Sequence, residues 1–375
     1  MEKKKIIFAA GIFYPDVGGP AIHTKKIAEA LAADRWAVEV VAYGDYAQSE
    51  IFPFKVRRVS RSYYGPVRWL IYFLKIFIAS FGARVIYAFD PSAAGLPAFL
   101  AAKILRKRFV IRIGGDPIWE RVVENGKRFL PLKEYYEKNY YFQDKPALFK
   151  AIRWMVKRAD AVVVYSSFFK DFYCRYYGVN PEKITIILNP VAAIEKSATW
   201  NEEPTFLFAG RFVAYKNLKI VIGAFNNLWK RFKKGRLILI GKGPDEQELR
   251  SFIAVLSSAG AITMLPSLNQ QELFKEIRSA AVCLGPALTE FNPNFILEGL
   301  SLGKPAILSE GNGLSVSLPK EWLFNPMSAE DLEKKMAQFF DKDFYNLALQ
   351  KVNALPMNQT WEKVVTAHLQ LLKSL

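Results

Sequence analysis

The sequence predicts an α/β fold made of two Rossmann-like, doubly wound domains that face each other across a cleft. Short apolar runs alternate with helical patterns along the chain, which is typical of parallel sheets covered by helices on both faces. The alternation lapses once, between residues 191 and 204, and then restarts. A length of 375 residues is sufficient for two sizeable hydrophobic cores.

The first predicted domain covers residues 1–192. AIHTKKIAEALAA is the clearest helix, because Ile22, Ile27, Ala30 and Leu31 fall on one side at helical spacing. Apolar runs before and after it predict the strands KIIFAAG, VEVVAYG, FKVRRVS, RVIYAFD, RFVIRIGG, AVVVYSS and ITIILNP. This order of strands and helices predicts a parallel sheet.

Residues 193–204 are predicted to form an interdomain linker, since this stretch has no hydrophobic period and ends in Pro. The second domain is predicted over residues 205–357, and residues 358–375 predict a final amphipathic helix. Helical patterns separate the predicted strands of the second domain, which are TFLFAG, GRLILIG, AITMLP, AVCLGPA and PAILSE. Strands and helices in this order predict a second Rossmann-like domain.

The net charge of +17 is concentrated in the first half of the chain. Residues 1–195 contain 31 Lys and Arg against 18 acidic residues, whereas the remaining 180 residues contain 21 against 17. Such a field attracts anionic partners, namely nucleic acid, a nucleotide-linked substrate or an anionic membrane. No zinc-finger spacing or aromatic RNA-binding signature is present, so nucleic acid is not expected as a partner.

Residues 65–84 predict one apolar helix with Lys75 inside it. Its uninterrupted apolar runs are too short to span a bilayer, which needs about 20 residues. Two interpretations stay open. The helix packs on a sheet while Lys75 extends its amine to water, or it lies in the headgroup layer of an anionic membrane.

The compartment is predicted from cysteine usage and from the N-terminus. Cys174 and Cys283 lie far apart in apolar settings, so they are expected to be packing residues in a reducing compartment. The basic N-terminal residues lead into a short apolar run and a turn, which favours a first strand over a signal peptide. A cytosolic location is therefore expected.

The residues that follow the predicted strands are the candidates for chemistry, because ligands of such folds bind at the carboxyl ends of the strands. Arg211 and Lys216 supply two cations after one strand, and a helix beginning at Asn294 offers free N–H groups. These groups are suited to a diphosphate without a metal. Glu290 and Glu298, with no basic residue between them, are suited to a polyol ligand.

These motifs resemble those of family 4 glycosyltransferases, which have the two-domain GT-B fold. The resemblance extends over nearly the whole chain and is strongest from 205 to 310. It rests on the G-R-x4-K run at Gly210, Arg211 and Lys216, the G-x-G-P loop at Gly241, Gly243 and Pro244, the E-x7-E pair at Glu290 and Glu298, the G-K-P run at 303–305, the glycine pair Gly18 and Gly19 with nearby His23, and a closing W-E-K helix. In related enzymes that final helix packs back on the first domain.

The resemblance implies retaining transfer of a hexose from a UDP- or GDP-sugar, with no cofactor and no required metal. Arg211 and Lys216 would neutralise the leaving diphosphate, and Glu298 would accept hydrogen bonds from the ribose. Glu290 would bind hydroxyls of the donor hexose. Backbone N–H groups of the stretch after Glu290 would assist it, which gives Phe291, Asn292 and Asn294 as further binding residues. The family favours a front-face route in which the leaving phosphate accepts the proton of the acceptor.

Three positions depart from the family pattern or stay open. Asn292 and Pro293 replace a glycine that many relatives have, so the donor sugar cannot be transferred from them. Asp116 stands after a strand where relatives often have His; it either orients or deprotonates the acceptor, or caps the helix that begins near Pro117. His23 is either a site residue or a packing residue.

The leading hypothesis is a glycosyltransferase at the cytosolic membrane face that acts on a lipid-linked or polysaccharide precursor. A sugar-nucleotide epimerase or hydrolase and a catalytically silent nucleotide-sugar-binding relative are the alternatives. The DKD run at 341–343 imitates a metal-binding D-x-D motif, but it lies in a polar helical region away from the other motifs.

Overall fold

A computed structural model describes residues 4–16, 18–45, 51–191, 200 and 202–375. It divides into two compact units, each built from separate stretches of the chain. Unit 1 comprises Met1–Ile118, Tyr141–Leu188 and Trp361–Leu375, and unit 2 comprises Trp119–Tyr140 and Asn189–Thr360. Most of the linker expected at 193–204 lies outside the described residues.

Within the described residues, unit 1 contains a seven-stranded parallel sheet of order β3-β2-β1-β4-β5-β6-β7. Its strands are β1 (Lys5–Ala10), β2 (Ala37–Tyr43), β3 (Lys55–Val59), β4 (Ala83–Ala88), β5 (Arg108–Arg112), β6 (Ala161–Val164) and β7 (Ile184–Ile186). All seven strands predicted from the sequence are confirmed. The sheet is doubly wound, because the chain runs from β1 outward to β3 and then returns to β4 on the other side.

Within the described part of unit 2, a second parallel sheet has six strands in the order β10-β9-β8-β11-β12-β13. The strands are β8 (Thr205–Ala209), β9 (Arg236–Ile240), β10 (Ile262–Leu265), β11 (Val282–Gly285), β12 (Ala306–Ser309) and β13 (Leu323–Phe324). The first five are the predicted strands. The pattern missed β13, because two residues are too few to show a period.

Helices connect the strands of both sheets. In chain order they are α1 (Gly19–Ala33), α2 (Gly65–Ala79), α3 (Gly95–Ile104), α4 (Pro117–Glu124), α5 (Leu132–Glu137), α6 (Tyr140–Asp144), α7 (Pro146–Arg158), α8 (Ser167–Phe172), α9 (Leu218–Phe232), α10 (Glu246–Ala254), α11 (Gln270–Ser279), α12 (Asn294–Ser301), α13 (Ala329–Ala337), α14 (Lys342–Asn353) and α15 (Trp361–Ser374). The predicted helix over 65–84 therefore ends earlier, at Ala79.

Helix α15 belongs to unit 1 although all of unit 2's second stretch precedes it in the chain. Val364 and Leu372 are fully buried and share one hydrophobic cluster with Ile6 and Phe8 of β1. This burial removes the apolar stripe of α15 from water, which is the main stabilising contribution available to an amphipathic helix.

The stretch 119–140 belongs to unit 2, whereas the sequence-based boundaries place it within residues 1–192. Trp119 anchors it: the indole Nε1 donates to the Leu130 carbonyl at 2.7 Å, and the ring meets those of Tyr215 and Phe291 with centroids 5.6 and 5.8 Å away. Trp119 is fully buried, so its ring joins this stretch to the loops that follow β8 and β11.

In the described part of the chain, no helix is both long enough and apolar enough to cross a membrane.

Candidate functional site

The loops that follow β8 and β9 are in close contact, and two glycines permit that contact. A Cβ on Gly241 would lie 1.9 Å from the Gly210 carbonyl oxygen, and a Cβ on Gly243 would lie 2.1 Å from the Phe212 carbonyl oxygen. The backbone N–H groups of Gly210 and Gly241 donate to Ile240 and Leu265. In this geometry the glycines position Arg211 by letting the two loops meet.

Arg211 follows β8 and is exposed. Its guanidinium donates to the Tyr215 hydroxyl, and its Cζ atom lies 5.8 Å from the centroid of the Tyr215 ring. Glu120 and Glu124, from the stretch 119–140, also interact with it electrostatically. Burial raises the pKa of Glu124, while Arg211 opposes the rise. Arg211 is thus a cation held at a loop surface by a buried aromatic residue.

Lys216 lies at the end of the same loop and forms an ion pair with Glu290. Its Nζ lies 2.8 Å from Oε1 and 3.0 Å from Oε2 of Glu290, whose side chain is only 6% exposed. The ammonium also lies 5.6 Å from the centroid of the Tyr215 ring. Tyr215 therefore stands between the two cations. A buried carboxylate with both oxygens on one ammonium is compensated within the protein.

Backbone hydrogen bonds join the loop after β11 to the loops after β8 and β12. The Leu288 N–H donates to the Tyr215 carbonyl at 2.9 Å, and the Gly313 N–H donates to the Glu290 carbonyl at 2.7 Å. From the stretch 119–140, the Leu132 N–H donates to the Thr289 hydroxyl at 3.0 Å. Lys216 and Glu290 thus meet on rigid supports.

Asn292 lies two residues after Glu290 and is buried, with 8% of its surface exposed. Neither its side-chain oxygen nor its side-chain nitrogen has a hydrogen-bond partner among the described residues. Leaving a buried amide unpaired costs about 1–3 kcal/mol. Phe291, beside it, is also buried and contacts Trp119 edge to face. The Asn292 amide is therefore available to a ligand.

Helix α12 begins at Asn294, directly after Pro293, and carries Glu298. The Asn294 side-chain oxygen accepts a hydrogen bond from Asn189 at 2.8 Å. Gln270 Nε2 donates to Glu298 Oε1 at 3.4 Å. Burial raises the pKa of Glu298 to about 7, and Gln270 opposes the rise. Unlike Glu290, Glu298 has no cation compensating its charge in the part of the chain that the structure describes.

The glycine pair of the first domain lies in unit 1. Gly18 has φ +155° and its carbonyl accepts the Ile22 N–H at 3.2 Å, while Gly19 is the first residue of α1. A Cβ on Gly18 would lie 2.9 Å from Ile12 Cδ1. The glycines allow the chain to turn from β1 into α1.

Asp116 also lies in unit 1 and is completely buried. Its Oδ2 accepts a hydrogen bond from the Tyr177 hydroxyl at 2.6 Å. The carboxylate is directed to Tyr177 and not to solvent, which favours a role in positioning the loop after β5.

His23 packs in unit 1 beside a buried polar cluster. Its ring lies 5.0 Å from that of Trp361 in α15, and burial, with Arg112 and His368, holds the pKa of His23 well below its usual value. His368 Nδ1 faces the Val364 carbonyl at 2.8 Å, so Nδ1 carries the proton and Nε2 accepts from Arg112 at 3.1 Å. Burial lowers the pKa of His368 to about 3.

The described residues contain neither a metal-binding cluster nor a disulfide bond. No group of three or more His, Cys, Asp or Glu side chains there is arranged to hold a metal ion, and Cys174 and Cys283 are free thiols. In the DKD run, Asp341 caps α14, its carboxylate accepting the Phe344 N–H at 2.8 Å. This acid is occupied as a helix cap.

Sequence reasoning missed Tyr215, Trp119, Glu120 and Glu124. Tyr215 lies within the AGRFVAYK run, so its position next to Lys216 was the available signal. The other three lie in a stretch that the alternation of strands and helices assigns to the first domain. Their contribution to unit 2 depends on tertiary contacts that no local pattern records.

Comparison with known protein families gives two adjoining matches. The family described as Glycosyltransferase Family 4 matches residues 17–193, and the one described as Glycosyl transferases group 1 matches residues 192–353. The fold and these matches define a glycosyltransferase of the GT-B type. The chain belongs to glycosyltransferase family 4, and the resemblance inferred from its motifs is confirmed.

Individual proteins are also similar to this chain. Protein CapJ of Staphylococcus aureus is 25% identical over 251 residues, which are 65% of this chain and 59% of CapJ. The chain therefore matches less than two thirds of the length of CapJ. Two solved structures show the GT-B fold. One is HepE of Anabaena in complex with UDP-glucose, with a TM-score of 0.75 and 15% identity. The match covers 99% of this chain and 100% of HepE. Sucrose-phosphate synthase of Thermosynechococcus elongatus has a TM-score of 0.74, 17% identity and coverage of 99% of both chains.

Proposed function

We propose that this glycosyltransferase transfers a hexose, with retention of configuration, from a UDP- or GDP-sugar to a glycan or lipid-linked acceptor. The observation that carries the proposal is the cluster of Arg211, Tyr215, Lys216 and Glu290. It combines two cations, suited to a diphosphate, with one carboxylate, suited to sugar hydroxyls.

The donor diphosphate would bind between Arg211 and Lys216. Arg211 offers a fork for two phosphate oxygens and Lys216 a point charge. The N–H groups at the start of α12, an eight-residue helix, add positive potential. Charge that develops on the leaving diphosphate would be stabilised by these groups of the chain itself, so the proposal requires no metal.

Glu290 would bind the hexose once the donor is present. In the free protein both of its oxygens contact Lys216. A diphosphate would share the ammonium, which leaves lone pairs of Glu290 for donor hydroxyls and for the positive charge that grows on the sugar ring. The side-chain oxygen and nitrogen of the buried Asn292 amide would form hydrogen bonds with the same sugar.

Glu298 would accept hydrogen bonds from the ribose hydroxyls. Its raised pKa of about 7 supports this assignment, because a partly buried carboxylate without a cation gains most from two hydroxyl donors. Above pH 7 the ionised form would be available as the acceptor.

The proposed reaction follows a front-face route. The bond between the anomeric carbon and the phosphate oxygen breaks while a bond to the acceptor oxygen forms on the same face. The acceptor proton passes to the leaving phosphate oxygen, so no carboxylate has to act as a nucleophile. Asp116 would hold the loop after β5 in position and would not touch the reacting atoms.

Donor and acceptor classes have partial support from the solved structures with this fold. HepE was solved with UDP-glucose, and another structure, WaaG, is described as involved in lipopolysaccharide biosynthesis. These descriptions favour a UDP-sugar donor and a glycan or lipid-linked acceptor for this chain. They also favour a role in assembling a surface polysaccharide.

The donor is tested by thermal shift against UDP-glucose, GDP-mannose and ADP-glucose, followed by hydrolysis assays with the donor that binds. We expect one donor to raise Tm and to release its nucleoside diphosphate slowly when no acceptor is present. Arg211→Ala should abolish that shift, while the matched surface variant Arg278→Ala should keep it. A shift that survives Arg211→Ala would contradict the diphosphate site. A covalent glycosyl adduct on Glu290 that reacts onward would contradict the front-face route.

A further inference from the structure

Helix α2 presents a row of large apolar side chains to solvent. Val67, Leu70, Leu74 and Ile78 are 48%, 52%, 46% and 58% exposed, at intervals of three or four residues that align them on one side of the helix. The opposite side holds the buried residues Tyr72, Ile76 and Ala79. The helix is therefore fixed to its own unit by one side and leaves the other uncovered.

The row continues beyond both ends of the helix. Tyr64, 77% exposed, precedes it, and Phe81, 56% exposed, follows it. We call Tyr64, Val67, Leu70, Leu74, Ile78 and Phe81 the α2 strip. A contiguous apolar surface of this kind marks an interaction site, whereas single exposed apolar residues do not.

The segment that contains the α2 strip is strongly basic. Residues 61–108 contain eight Lys and Arg and one acidic residue, Asp90. The Asp90 carboxylate accepts backbone N–H groups of Ser92 and Ala94, so its charge is occupied locally. Arg61 and Arg108 form ion pairs with Asp16 and Asp160, which lie outside this segment. The other six cations of the segment supply the positive field beside the strip.

The positive charges gather where the strip ends. Helices α2 and α3 pack side by side and lead into β4 and β5, whose register pairs Val85 with Arg108. Arg84, the second residue of β4, and Lys107, directly before β5, therefore lie near the starts of two neighbouring strands. Lys103 and Arg106, at the end of α3, are exposed at the same edge of the sheet, as is the apolar Ile104 at 61%.

We propose that the α2 strip docks this protein on an anionic lipid surface. Apolar side chains that enter the headgroup layer, flanked by Lys and Arg that meet anionic headgroups, are the two components of interfacial binding. A helix of 15 residues lies on such a surface and does not span it. The inference is independent of the proposed donor chemistry, since no residue of the Lys216–Glu290 cluster takes part.

The test is vesicle flotation of the full chain. We expect at least about tenfold more protein with phosphatidylcholine vesicles containing about 30 mol % phosphatidylglycerol than with phosphatidylcholine alone, at about 50 mM salt. About 500 mM salt should reduce the difference, because the electrostatic attraction is screened. The triple variant Leu70→Gln, Leu74→Gln, Ile78→Gln should lose flotation. The matched variant Val255→Gln, Leu347→Gln, altering exposed apolar residues of unit 2, should keep it.

A second variant tests the charges. Arg84→Gln, Lys103→Gln, Arg106→Gln should lose the preference for anionic vesicles, while Lys230→Gln, Lys275→Gln in unit 2 should retain it. Donor-induced thermal shift, measured on every variant, checks folding and separates this test from that of the proposed function. Absence of wild-type flotation, or equal flotation of the triple variant, would overturn the proposal. So would a wild-type dimer in sedimentation velocity that the triple variant dissociates, since the strip would then bind a second copy.

Discussion

The residues after the strands of unit 2 differ in character from the polar groups near the strands of unit 1. In unit 2, Arg211, Lys216 and Glu290 are ionised groups on loops that face one another. In unit 1, Asp116 is fully buried against Tyr177, and His368 is a neutral ring bonded to Arg112. The unit 2 groups are charged side chains on loops, whereas Asp116 and His368 of unit 1 are buried in hydrogen bonds with neighbouring side chains.

Burial explains this difference. A buried group without a charge partner loses hydration and shifts its pKa toward the neutral form, as His368 does. Glu290 is buried as one half of an ion pair with Lys216. Unit 2 therefore holds a buried ion pair beside its strand ends, while unit 1 buries polar groups in hydrogen bonds within its core. Four predictions test this contrast.

The largest expected effect is that of Lys216→Met on turnover. Loss of one charge that stabilises the leaving group typically lowers kcat by about 100- to 1,000-fold. The variant also leaves buried Glu290 uncompensated, which should reduce the free energy of unfolding by about 3 kcal/mol. Steady-state kinetics and denaturant unfolding measure the two losses.

The double variant Lys216→Met, Glu290→Gln separates the loss of activity from the loss of stability. It should regain most of the stability but none of the activity, and Lys230→Met should change neither quantity. A double variant that regains activity with its stability would reduce Lys216 to a structural residue.

The next effect is the pH dependence contributed by Glu298. Its folded pKa of about 7 lies above the usual 4.5, so the folded state holds a proton that the unfolded state releases between these values. Stability should fall by about 2–3 kcal/mol as the pH rises from 4.5 to 7. Glu298→Gln should flatten that part of the profile. Donor affinity in the wild type should rise through pH 7, and an affinity independent of pH from 6 to 8 would argue against the ribose assignment.

His368 should act in the opposite direction. Its folded pKa of about 3 lies below the usual 6.5, so the unfolded state takes up a proton first as the pH falls. Stability should decrease on acidification from pH 6.5 to 5 by about 2 kcal/mol from this residue. The change in the free energy of unfolding with pH, measured by urea unfolding, should be smaller in His368→Gln than in the wild type. An unchanged slope would show that this ring does not titrate between the two states.

The smallest effect is expected for Asp116→Asn. Its carboxylate accepts the Tyr177 hydroxyl, and weakening that bond should lower stability by about 1–2 kcal/mol. Because Asp116 is buried, kcat of the variant should remain within about tenfold of the wild-type value. This change is much smaller than the one that loss of a general base would cause. Tyr177→Phe is the matched control and should give a similar change in Tm. A large loss of kcat in Asp116→Asn alone would support the acceptor role of Asp116 and contradict the contrast.

The sequence was sufficient for the described strands other than β13 and for the motif positions, since the alternation of apolar runs and the strand-end glycines are local signals. It placed Lys216 and Glu290 in one site, and the structure pairs them directly. It did not find Trp119, Tyr215 or the attachment of the stretch 119–140 to unit 2, because these depend on contacts between residues about 100 or more apart, as in Leu132 with Thr289. It also left open whether the helix at 65–84 is covered, which only the exposure of individual side chains decides.

The place of α15 has a consequence for how the chain is made. Residues 361–375 complete the core around β1, yet they leave the ribosome after the whole of unit 2. During synthesis the first sheet must therefore wait, with part of its apolar surface uncovered, until its last helix arrives. An N-terminal fragment ending before Trp361 would keep that surface open, and aggregation of such a fragment is its expected fate.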